Sequence, residues 1–116
     1  MTDRSRYLPE IPAGLPGGRR PMIAVVDAKT GHAPELRAAI EELAAAVRRE
    51  PGCLTFVPYQ DLGTEGRFHL YEIYRDLNAF QDHLQTGHVG KFFDALAQHS
   101  TTTAQNLIQL AELDVP

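Results

Sequence analysis

From residue 22 onward the apolar positions follow two rhythms. MIAVVDA, residues 22–28, is a β-branched run closed by Lys29-Thr30-Gly31, which predicts a strand. After it Leu36, Ile40, Leu43 and Val47 recur at steps of four, three and four, while Glu41, Glu42, Arg48 and Arg49 fall off that line. This predicts an amphipathic helix, with Pro34 in its first turn and Pro51-Gly52 as its stop. CLTFVPYQD (53–61) and RFHLYEIYR (67–75) flank the loop LGTEG and predict a hairpin. Pro58 has no N–H to donate, so its strand belongs at an edge or carries a bulge.

In the second hairpin strand Phe68, Leu70, Glu72 and Tyr74 point one way and His69, Tyr71 and Ile73 the other. Neither side is plainly polar, so both faces of the sheet are expected to be covered, one by helices and the other by a second copy of the chain. Asp76 is an N-cap for LNAFQDHL, Gly87 is expected to end that turn in the left-handed conformation, and a further helical piece runs from about Val89 to Gln98. TTTAQNLIQLAEL (101–113) reads as the last strand. The order β-α-β-β-α-β is that of an α+β, ferredoxin-like split βαβ fold, a four-stranded antiparallel sheet with its helices on one face.

Residues 1–21 break the pattern, with four prolines and three glycines in MTDRSRYLPEIPAGLPGGRRP. They predict an arm rather than a helix or strand, followed by a domain over 22–116. Four arginines against Asp3 and Glu10 give the arm +2, leaving −6 for the rest of a chain whose net charge is −4. Tyr7, Leu8, Ile11 and Leu15 give it something apolar to bury, on its own body or on a partner. The 116 residues suit one domain. The basic residues form no stripe, so no nucleic-acid partner is expected. No apolar run is long enough for a membrane span, and no secretory leader is visible. The single Cys53 has no partner for an internal disulfide, which points to the cytoplasm.

The Pro-Gly-Cys turn in AVRREPGCLTF, the passage LYEIYRDLNAFQDHL and the run TGHVGKFFDAL, in this order, resemble the antibiotic biosynthesis monooxygenase family across residues 22–112. The resemblance implies a dimer with sheets facing each other and, as activity, oxidation of a quinol or hydroxylated cyclic aromatic by O₂ without a bound cofactor. The family also contains haem degraders, which use a tryptophan and a first-strand asparagine. This chain has no Trp, and MIAVVDA has no Asn, so haem degradation is disfavoured. The other readings are a non-catalytic small-molecule-binding or interaction domain, and an enzyme processing a small signalling metabolite.

His88 is the first candidate for catalysis. The resemblance puts its position at the family's pocket. The positive end of a helix dipole there disfavours imidazolium, and a base must come within about 3 Å of a substrate hydroxyl. Glu72 is the second, because a carboxylate among Phe68, Leu70 and Tyr74 is costly unless paired or protonated. Its other reading is an ion pair with Arg75, Arg67 or an arm arginine. Tyr59, Tyr74, His83 and Phe92 are candidates for contact with a flat substrate, against the alternative that they pack or cap. His83 and His88 are five residues apart across a glycine rather than four apart on one helix face, which argues against a metal. His32, His69 and His99 carry no motif and are expected at the surface.

Overall fold

The computed structural model describes residues 3–102 and 106–116. Strands β1 (Arg20–Asp27), β2 (Cys53–Gln60), β3 (Arg67–Tyr74) and β4 (Leu107–Gln109) form one antiparallel sheet in the order β2-β3-β1-β4. Helices α1 (Ala33–Val47), α2 (Leu77–Leu84) and α3 (Gly87–His99) lie on one face. This is the split βαβ arrangement that the pattern predicts. Pro58 lies on the edge strand β2, where its missing N–H costs no ladder bond.

The covered face is sealed by alternation. Val26 of β1 and Phe68 and Leu70 of β3 are buried against Leu36, Ile40, Leu43 and Val47 of α1, while Met22 and Tyr74 are buried against Ala79 and Phe80 of α2. In the hairpin loop Asp61 Oδ1 accepts from the backbone N–H of Gly63 and Thr64 at 2.8 and 3.1 Å. Gly66 then turns the chain with φ +77°, a conformation that disfavours any side chain.

Two local expectations are corrected. Gly87 is not a left-handed stop but the first residue of α3. Thr86 makes the break, its hydroxyl donating to the His83 carbonyl at 2.8 Å and accepting from Val89 N–H at 3.3 Å. One side chain therefore satisfies backbone groups of both helices. The last strand is also much shorter than residues 101–113. Thr101 N–H and the Ser100 hydroxyl both donate to Asp27 O, and Thr102 Oγ1 accepts from Asp27 N–H. Regular pairing with β1 covers only Leu107–Gln109, and Thr103, Ala104 and Gln105 lie outside the described residues.

The arm folds back on its own body. Asp3 caps a 3-10 turn, Arg4–Tyr7, by accepting from Ser5 N–H at 3.1 Å. Tyr7 is buried with its ring stacked on Phe93 at 5.6 Å, and Arg4 grips Asp94 through two bonds of 3.0 and 2.7 Å. The grip passes over Gly90, where an added Cβ would come within 2.6 Å of the guanidinium. Ile11 packs on the Met22–Tyr74–Phe80 cluster.

Candidate functional site: an apolar cavity with a carboxyl and an imidazole

Between the sheet and helices α2 and α3 lies a cavity of about 90 Å³. Its walls are mainly apolar, from Leu70, Phe80, Val89, Phe92 and Leu96, and Tyr7 and Pro9 of the arm also line it. Glu72 and His83 bring ionisable groups to this lining. Glu72 is only 5% exposed and has no ion pair among the described residues. Its Oε1 accepts a 2.7 Å bond from the Tyr74 hydroxyl. Burial holds its pKa above the ordinary carboxylate value, against smaller opposing effects from His83 and the Tyr74 bond. The expected pairing with an arginine is not seen: Arg67 pairs with Asp27 and Arg75 with Asp76.

Behind the cavity wall sits a cluster joining three elements. Glu50, in the turn between α1 and β2, places Oε2 2.9 Å from His83 Nδ1 and 2.6 Å from His88 Nε2. Burial alone would raise the Glu50 pKa, but the hydrogen bonds from His83 and His88, with their charge, outweigh it and hold the carboxylate below its ordinary value. A carboxylate only accepts, so both ring nitrogens donate to it. In a neutral His83 this leaves Nε2, at the ring's other edge, as an acceptor.

The structure separates the residues that the sequence proposes as one site. Glu72, His83 and Phe92 line the cavity. His88 does not; it opens onto an outer groove between α1 and α3 and reaches the cavity only through Glu50 and His83. Tyr74 stands behind the wall, fully buried, with its ring 4.8 Å from that of His83. Tyr59 is 55% exposed and pairs with His69 on the opposite face of the sheet, away from the cavity. Glu50 was missed, although it stands in the EPGCL run that carries the family resemblance. His83 and His88, five apart in sequence, belong to different helices and nevertheless converge on one oxygen of Glu50. His32 and His99 are not simply surface residues, for they meet Nδ1 to Nδ1 at 3.0 Å.

The fold and this cavity define a ferredoxin-like α+β domain with a largely apolar hollow between its sheet and its helices. Residues 22–95 match the model of the antibiotic biosynthesis monooxygenase family, and the chain belongs to it. Among solved structures it is similar to PA3566 of Pseudomonas aeruginosa, at 29% identity and TM-score 0.79, covering 87% of this chain and 100% of that one. A Deinococcus radiodurans protein named for the same family aligns at 26% identity and TM-score 0.75, covering 84% and 95% of the two chains. Rv0793 of Mycobacterium tuberculosis shares the fold at 24% identity and TM-score 0.76, covering 84% and 97%. A search of curated proteins gives no significant match. Among the described residues no helix is long and apolar enough to cross a membrane.

Proposed function

We propose that the protein is a cofactor-independent monooxygenase of a hydroxylated aromatic or quinol, working as a cytoplasmic homodimer in which residues 1–21 are an arm added to the family domain. His83, rather than His88, is the base. Its Nδ1–H is fixed on Glu50, so Nε2 takes the proton of a substrate hydroxyl, and the resulting aryloxide donates electrons to O₂. The peroxide formed on the ring takes the proton held by His83. The ring carbon then loses its C–H proton to His83 as the O–O bond breaks, giving a quinone in which one oxygen atom stays on carbon. The other leaves as water with a proton from the carboxyl of Glu72, which is reprotonated from solvent. Substrate oxidation supplies all the electrons, so no reductant enters. His88, at the solvent end of the cluster, returns the proton to water. Tyr74 holds Glu72 in place, and Phe92 offers a ring to the substrate.

The observation that carries this reading is the meeting of a raised-pKa carboxyl and a tautomer-fixed imidazole on one apolar cavity. Oxygen uptake with a panel of quinols and single-ring phenols tests it. His83→Gln is expected to lower the rate at least about 100-fold and His88→Gln by about tenfold. A rate unchanged in His83→Gln overturns it.

The size of the cavity favours a second reading. About 90 Å³ is less than the roughly 150 Å³ that holds benzene in a dry cavity. Tyr7 and Pro9 must therefore move for a ring to enter, and binding without turnover is the function if Tyr7→Ala binds quinols tightly but consumes no oxygen.

A further inference from the structure

Glu50, His83 and His88 present one carboxylate oxygen and two imidazole nitrogens, all within 4.8 Å of one another. Two histidines and a glutamate make up the ligand set of one common zinc geometry, which keeps a fourth position for water. The three come from a turn and two helices, so they approach a common point from different directions instead of lying along one face. We propose that this cluster binds one divalent transition-metal cation, zinc by preference, through Glu50, His83 Nδ1 and His88 Nε2, and that the cation turns the cavity wall from a proton acceptor into a donor.

The geometry is close to what an ion requires. Tetrahedral bonds of about 2.0–2.1 Å set ligand atoms about 3.3 Å apart, against contacts of 2.9 and 2.6 Å around Glu50 Oε2. The ring with room to withdraw is His88, whose side chain is 29% exposed while those of His83 and Glu50 are nearly enclosed. Access is through the groove of about 290 Å³ beside His88, which also carries Glu42 and Asp94. These acids are engaged by Lys91 and Arg4, so they do not form a rival three-ligand set. The Thr86 hydroxyl bonded to the His83 carbonyl anchors the end of α2 from which His83 projects.

The consequence for the cavity follows from imidazole chemistry. A neutral ring that binds metal through Nδ1 must carry its proton on Nε2. The edge of His83 turned away from Glu50 would then donate a hydrogen bond and could not remove a proton. Zinc would thus inhibit the oxidation rather than support it. The metal site stands on geometry alone, and only this inhibition rests on His83 being the base.

The test is a zinc titration of full-length protein, stripped of metal beforehand and competed against a chromophoric chelator. One zinc per chain is expected, with affinity falling at least about 100-fold in Glu50→Gln and His88→Gln, beyond the 10–100-fold cost of losing an outer partner. His32→Gln serves as the control for the His32–His99 pair and should leave binding unchanged. Nitrogen chemical shifts of the histidine rings should show the His83 proton moving from Nδ1 to Nε2 as zinc is added. Circular dichroism of each variant separates a lost ligand from a lost fold. No stoichiometric binding, binding that survives both cluster substitutions, or binding abolished by His32→Gln overturns the proposal. Absence of turnover with every quinol would overturn the oxygenase reading while leaving the titration as it stands.

Discussion

The two faces of the sheet are built from the same strands and nearly the same residue types, yet they end in different states. On one, Met22, Phe56, Phe68, Leu70 and Tyr74 are sealed beneath the helices. On the other, Ile23, Val25, Val57, Tyr71 and Ile73 are only half-buried, and Ile108 is 49% exposed. Ile23 pairs with Tyr71 and with Ile108, and Val57 with Tyr71, so these side chains form a continuous apolar stripe across all four strands. Apolar character alone therefore does not decide burial here; the presence of a covering layer does. A stripe of this breadth is what a second copy of the chain would cover.

Removing a large side chain from the sealed face should have the largest effect. Phe68→Ala is expected to cost about 3–5 kcal/mol, since its ring is packed within the α1–α3 core and leaves a cavity behind. Urea unfolding measures this, and the loss should not depend on protein concentration. On the open face the dependence reverses. Ile73→Glu should hardly change the unfolding of dilute protein but should raise the dimer dissociation constant at least about 30-fold, as loss of a buried interface anchor does. Sedimentation at graded concentrations would show this, and a wild-type chain that sediments as a monomer at high concentration would remove the need for a partner on this face.

A smaller effect separates the one carboxyl of the sealed face from its surroundings. Burial raises the folded pKa of Glu72 above its ordinary 4.5, so the protonated form is the one the fold favours. Its contribution to stability is fully present below 4.5 and is lost as pH rises through the raised value. Gln cannot ionise. Glu72→Gln should therefore gain on the wild type as pH rises from about 4 to about 8, read from urea midpoints at each pH. A gap that stays constant with pH would mean that folding does not raise the pKa of Glu72, and the proton donor of the proposed reaction would be gone near neutral pH.

How much of this was legible follows the range of the interactions. The helix from Pro34, the hairpin, the Asp76 cap and the edge position of Pro58 depend on neighbours in sequence, and each is found. The last strand was over-read because its Thr and Ile content fits a strand, while a side-chain hydroxyl at Thr102 takes up the Asp27 N–H instead. The site was legible in composition and not in arrangement. Glu72, His83 and Phe92 could be placed near a pocket from strand parity and helix faces, but Glu50 is 33 positions from His83, and no local period links them. His88 was placed at the pocket by the family resemblance, and the contact that turns it to the outer groove is made with Glu50, 38 positions away.

The smallest expected effect lies at the margin of the sealed face, where Cys53 opens β2 opposite Tyr74. Burial pushes its thiol from the ordinary 9.0 to about 11, with the charges of Glu50 and Glu72 adding to the shift. Only the thiolate reacts, so below both values the reactive fraction falls by about 100-fold, and labelling with a disulfide reagent should slow by that factor relative to the unfolded chain. The open face supplies the control. Ile73→Cys puts a thiol on the half-buried stripe, where it should react at nearly the free rate in dilute protein and slow only as concentration brings copies together. If Cys53 instead reacts as fast as the thiol of Ile73→Cys in dilute protein, the strand end opens to solvent. The difference between the faces would then be one of degree at this margin, although Phe68 and Leu70 remain sealed further along β3.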